Sequence, residues 1–100
     1  MPQTTLTRKQ GVAIAAAMTA LSHPRRVIIF DRLAAAPKEG LTYEALLAAT
    51  GLNTSTLTHH LRPMFAAGLI VTRRKGRYVF HRLKPSALSP AIVDLRRIAA

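Results

Sequence analysis

The side chains that could do chemistry gather between Gly51 and Leu83, in the run GLNTSTLTHHLRPMFAAGLIVTRRKGRYVFHRL. Thr54, Ser55, Thr56, Thr58, His59, His60 and Arg62 place hydroxyl, imidazole and guanidinium groups close together, and Arg73, Arg74, Lys75, Gly76 and Arg77 follow as a cationic knot. This set can donate and accept hydrogen bonds at base edges and phosphate oxygens. It holds no pair of carboxylates, no Ser-His-Asp or Cys-His arrangement and no phosphate-binding glycine loop. The chemistry it suits is recognition of a nucleic acid, and an enzyme is not expected.

Two elements must carry these groups. Asn53 stands where a helix N-cap is wanted, with Leu52 before it and Leu57 one turn in, spaced as a hydrophobic staple. Leu57, Leu61, Met64 and Phe65 recur at helical spacing as one apolar stripe, which leaves Ser55, Thr58, His59 and Arg62 on the other side. Pro63 cannot donate to the His59 carbonyl, so a kink is expected there. Gly68 is placed to end the helix. Leu69 to Arg74 is extended by its β-branched residues, Lys75-Gly76 makes a turn, and Arg77 to Leu83 returns as the second strand of a hairpin. Upstream, Leu41 and Thr42 open a shorter helix with Glu44 in its first turn, and Gly51 ends it. Helix, short turn and polar-faced helix over residues 42–67, with a basic hairpin over 69–83, make a winged helix-turn-helix pattern.

The wing cluster alone is ambiguous, because charges often only keep a hairpin tip solvated. Its place directly after a helix-turn-helix points instead to phosphates or the minor groove. Arg62 fits a guanine edge or a phosphate, and Thr54, Ser55 and Thr56 fit phosphates at a helix N-terminus as well as bases.

One hundred residues with 49% hydrophobic content is one domain with one core, and a net charge of +11 calls for a polyanionic partner. The chain has no cysteine, which removes disulfides, thiolate metal sites and thiol redox sensing. The apolar run Val12 to Leu21 is too short to span a bilayer and has no signal-peptide context, so a cytoplasmic location is expected. Residues 1–6 carry no pattern and read as a loose tail. Thr7 and Gln10 have capping-box spacing and open a helix, residues 7–21, that is apolar nearly all round and so wants burial on more than one face. Pro24 opens a second helix with Val27, Ile28, Ile29, Phe30 and Leu33 as its core face. Ser89-Pro90 begins a last helix, 90–99, with Ile92, Leu95 and Ile98 on one side.

The segments STLTHHLRPMFAAGLI and RRKGRYVFHRL, with LSHPRRVIIFDRL upstream, resemble the ArsR/SmtB family of small winged helix-turn-helix repressors, over roughly residues 21–83. The resemblance implies a mainly α fold of about five helices with a two-stranded antiparallel wing, and a homodimer built through the first and last helices. Such a dimer would read an inverted repeat in double-stranded DNA at a bacterial promoter and repress by occlusion. The family's metal-sensing members carry cysteines before the recognition helix or Asp and His ligands on the last helix. The matching segments here, LTYEALLAAT and SPAIVDLRRIAA, offer only Glu44 and Asp94.

No metal or other cofactor is therefore expected. His60 reads as a packing or phosphate-contacting residue, His23 as a helix boundary and His81 as a strand residue. The signal, if there is one, would be a small apolar molecule, a partner protein or the regulator's own abundance. A non-specific nucleoid or RNA-binding protein would share the charge and is the alternative.

Overall fold

The computed structural model describes residues 7–84 and places four helices and a three-stranded sheet in them. The last helix expected over 90–99 and the tail over 1–6 lie outside the described residues. Helix α1 spans Arg8–Ala20 and is closed at its start by the Thr7–Gln10 capping box. Helix α2, Pro24–Ala34, has proline in its first turn and His23 as N-cap, the ring accepting from the Arg25 amide. Strand β1 is the pair Leu41–Thr42, α3 runs Tyr43–Thr50 and α4 Thr54–Ala66. Strands β2, Ile70–Lys75, and β3, Tyr78–Leu83, form the wing.

Three sequence expectations change here. Leu41 and Thr42 do not begin a helix: they pair antiparallel with His81 and Phe80, and Thr42 serves as N-cap of α3, accepting from the Ala45 amide. The wing is therefore the outer part of a sheet ordered β1-β3-β2 rather than a two-stranded hairpin. Its turn is Gly76-Arg77, because Lys75 already pairs with Tyr78.

The core joins Ala17 and Ala20 of α1, Ile29 and Leu33 of α2, Leu46 of α3, Leu57, Leu61 and Met64 of α4, then Leu69 and Ile70. In α2 the expected apolar face is narrower than the run of hydrophobic residues. Ile29 and Leu33 are buried four residues apart, while Val27 and Ile28 point outward. Likewise Phe65 leaves the α4 stripe and is exposed. On α1, Val12, Ala15 and Met18 are exposed at three-residue spacing along one face.

The two helices of the motif meet through a tight turn that Gly51 makes by taking φ +72°, which side-chain-bearing residues adopt at a cost, while its amide still bonds Leu47. Helix α4 continues through Pro63 to Ala66. It ends with the Gly68 amide on the Phe65 carbonyl and the Leu69 amide on the Met64 carbonyl, so the chain leaves the helix with Leu69 already buried against the core. Helix α3 is further tied to α2 by Arg32, whose Nε donates to the Ala49 carbonyl at 3.0 Å.

Candidate nucleic-acid interface

Helix α4 buries Leu57, His60, Leu61 and Met64 and turns its remaining side outward. Asn53 fixes where that side begins, since its Oδ1 accepts from the Thr56 amide at 2.9 Å and from Ser55 Oγ at 3.0 Å. Thr54, Ser55, Thr58, His59 and Arg62 then line one open depression of about 460 Å³ on the outer side. Thr56 sits at its flank and is half-buried. The depression carries hydroxyls, an imidazole and a guanidinium, with no acidic side chain along it. Such a surface can exchange hydrogen bonds with the donors and acceptors of a major groove and does not repel phosphate.

Tyr43 is a residue the sequence reading missed. It lies in the first turn of α3, and its hydroxyl is 2.9 Å from the Thr54 carbonyl and 2.6 Å from Thr58 Oγ1. The two helices of the motif are thus joined by a polar link as well as by packing. The only signal in the sequence was a large phenol one residue past the Thr42 cap, which periodicity alone treats as a core residue.

His60 is placed differently from the reading that put it among the groups facing the nucleic acid. It is 3% exposed, because it lies three residues after Leu57 and four before Met64, on the stripe that packs against α1 and α2. The His23 ring lies 4.5 Å away, tilted by 46°, and the His59 ring 5.1 Å away, edge-on at 68°. Arg26 of α2 donates from Nε to His60 Nδ1 at 3.2 Å. Burial, reinforced by His23, Arg26, His59 and Arg25, holds the His60 imidazole below the usual histidine range. The neutral ring it favours is the form that can accept from Arg26.

The wing alternates faces along its register. Val71, Arg73 and Lys75 share one side with Arg82, Phe80 and Tyr78, while Ile70, Thr72 and Arg74 share the other with Leu83, His81 and Val79. Ile70 and His81 root that second side in the core. Arg73, Arg74, Lys75, Gly76 and Arg77 are all exposed, and the Arg77 guanidinium lies 5.8 Å from the centre of the Tyr78 ring. At the root, His81 Nδ1 is 3.3 Å from the Leu41 carbonyl, and its ring neighbours Tyr43 and Phe65. Burial lowers the His81 pKa, against the opposing pull of the Leu41 carbonyl and Glu44.

Among the described residues no three His, Asp or Glu side chains gather where they could hold a metal ion, and no helix is long and apolar enough to cross a membrane. The one ion pair among them is Arg32 with Asp31, both largely exposed.

A helix-turn-helix domain model matches residues 21–73. The chain is 32% identical over 84 residues to the HTH-type transcriptional regulator YgaV of Escherichia coli strain K12, covering 84% of this chain and 83% of that one. It is 31% identical over 71 residues to the nodulation protein NolR of Rhizobium meliloti, covering 71% of this chain and 56% of NolR. Among solved structures it superposes on a homodimeric winged helix-turn-helix DNA-binding domain from Mycobacterium bovis, described as a possible ArsR-family transcriptional regulator. There the TM-score is 0.70 and the identity 27%, with 95% of this chain and 87% of that one covered.

Proposed function

The chain belongs to the ArsR-type winged helix-turn-helix family of transcriptional regulators, and from that membership we propose that it is a dimeric, sequence-specific DNA-binding protein that represses a bacterial promoter from the cytoplasm. The observation that carries this reading is the acid-free outer side of α4, where Thr54, Ser55, Thr58, His59 and Arg62 stand together. These residues contact the major groove, with Thr56 at the flank on the backbone. Arg73, Arg74, Lys75 and Arg77, with Gly76 shaping the turn, hold phosphates or reach the minor groove beside it. Strand β2, which packs on α4, carries the first three of these cations.

A second copy of the chain supplies the other half. The exposed Val12, Ala15 and Met18 on α1 give an apolar face for it, and the homodimeric state of the Mycobacterium bovis domain supports that pairing. Residues 7–21 are assigned to the dimer, 42–67 to the helix-turn-helix and 69–83 to the wing. Two-fold symmetry then sets the recognition helices about 34–36 Å apart, matched to an inverted repeat. With no cysteine in the chain, thiol redox is left out as the signal. Metal is left out as well, no cofactor is assigned, and the protein is assigned no catalytic activity and no membrane contact.

The test is selection of duplexes from a random pool by the full chain. An inverted repeat with half-sites centred about 10–10.5 base pairs apart, bound at least about 1,000-fold more tightly than random duplex, is the expected result. Uniform binding to every duplex, or preference for RNA, would replace this reading with that of a non-specific basic protein, which the net charge of +11 would equally serve.

A further inference from the structure

Tyr43 and Thr58 each carry one hydroxyl proton, and the Thr54 carbonyl can only accept. The Tyr43 hydroxyl is within hydrogen-bond distance of both the Thr54 carbonyl, 2.9 Å, and Thr58 Oγ1, 2.6 Å. Both contacts are satisfied together in one arrangement only. Tyr43 donates its proton to the carbonyl, and Thr58 donates its own to Tyr43. A threonine on a helix surface ordinarily turns its hydroxyl to suit whichever partner arrives. Here the proton is committed inward, and the half-buried position of Tyr43 between α3 and α4 keeps the phenol in place. What Thr58 offers outward is oxygen lone pairs and a methyl group.

We infer that Tyr43 is a positioning residue that fixes the polarity of Thr58, so that each recognition helix presents a hydrogen-bond acceptor there and selects a base with an amine on its major-groove edge. The bases with such an amine are cytosine, through N4, and adenine, through N6. Guanine offers only O6 and N7 acceptors there, and thymine O4 and a methyl group, so each base pair carries one such amine and the pair and strand that set it against Thr58 are the ones selected. This inference rests on the proposed reading of α4 as the recognition helix and adds to it which chemical class of base edge one named side chain takes.

The experiment uses the full chain and the duplex obtained by selection. Affinities are measured for all four base pairs at every position of one half-site, for the wild type, Thr58→Val and Tyr43→Phe. Thr58→Val keeps the shape and removes the hydroxyl, so the position whose preference it abolishes is the one Thr58 reads. At that position, replacing the adenine of the preferred pair by purine, or its cytosine by 2-pyrimidinone, removes the amine and is expected to weaken the wild type by about 5- to 150-fold while leaving Thr58→Val largely unaffected. Tyr43→Phe frees the Thr58 proton to turn outward. The preference should shrink at that position alone, with the other positions and the salt dependence unchanged, a pattern that a general loss of helix packing would not give.

A wild type whose affinity is unchanged when the amine is removed at the Thr58-dependent position overturns the inference, as does a Tyr43→Phe protein that retains the full preference. So does a Thr58→Val protein indistinguishable from wild type at every position. If Tyr43→Phe does not fold, the response of the wild type to removal of the amine at the Thr58-dependent position decides alone. Absence of any specific duplex for the wild type is the separate failure of the functional reading, and this inference falls with it.

Discussion

Gly40 is the point at which the wing is fastened to the helix-turn-helix, and replacing it with alanine should loosen that fastening. Its φ is +94°, and a Cβ built on it would lie 2.1 Å from the His81 carbonyl oxygen, 2.8 Å from the carbonyl carbon and 2.9 Å from Arg82 Cβ. An ordinary C···O approach is about 3.3 Å or more. The backbone of β3 would therefore have to retreat by roughly 1 Å, and backbone cannot swing aside as a side-chain tip can. Two costs add. A side-chain-bearing residue in the left-handed region costs about 1–2 kcal/mol. Separating β1 from β3 weakens the pairing of Leu41 with His81 and Thr42 with Phe80 at about 0.5–1.5 kcal/mol per hydrogen bond.

A total of about 2–5 kcal/mol is expected from these terms, a fall in Tm of at least about 8 °C for a domain of this size. Thermal unfolding of Gly40→Ala beside Gly11→Ala is the assay. Gly11 lies within α1 with open space around it, so its alanine should raise stability by about 0.5–1 kcal/mol. Equal melting of Gly40→Ala and wild type would show that β1 and β3 do not approach as described, and would refute the reasoning.

Other perturbations address the remaining interactions. The folded state holds His60 and His81 below their unfolded pKa of about 6.5, so the unfolded chain binds protons first as pH falls. Their contribution to stability is therefore intact above about pH 6.5 and lost as pH falls from there toward the folded values, at up to about 1.4 kcal/mol per pH unit for each ring. Denaturant midpoints between pH 7.5 and 5 should show that slope, and His60→Gln should reduce it; a flat profile contradicts the buried neutral ring. Asn53→Ala removes the cap that holds Thr56 and Ser55. It should cost about 1 kcal/mol in urea unfolding, and an unchanged midpoint would deny the cap. Met18→Glu places a charge on the exposed face of α1. Sedimentation should show it shifting the protein from dimer to monomer, whereas an undisturbed dimer would move the pairing surface elsewhere.

Much of this architecture is legible from residue types because local rules point to it without competition. The Thr7–Gln10 box, the proline after His23, the Asn53 cap and the glycines at 51 and 68 are each decided by a few neighbouring residues. What is not legible depends on partners distant in the chain. Leu41–Thr42 is extended because β3, some forty residues later, offers it a strand edge, and two residues carry no periodicity of their own. His60 has the type of a surface residue but the spacing of a core residue, and Arg26 of α2 and His23 at its N-cap are what make its burial tolerable. Val27 and Ile28 are apolar yet exposed, since one face of an 11-residue helix cannot hold the whole Val-Ile-Ile-Phe run. At the candidate interface the exposed set on α4 follows from its period, while the link through Tyr43 appears only once α3 and α4 are packed.

The central claim is that the outer side of α4 discriminates among sequences while the wing grips the backbone. It is tested most directly by the ratio of affinities for the selected inverted repeat and for random duplex, measured against salt for two variants. Ser55→Ala with Thr58→Ala and Arg62→Ala should bring the ratio down toward one while leaving much of the random-duplex affinity. Arg73→Ala with Arg77→Ala should weaken both duplexes alike and lower the salt slope by about one for each phosphate that is no longer neutralised. A ratio that survives the α4 substitutions, or that collapses only with the wing pair, would contradict the account.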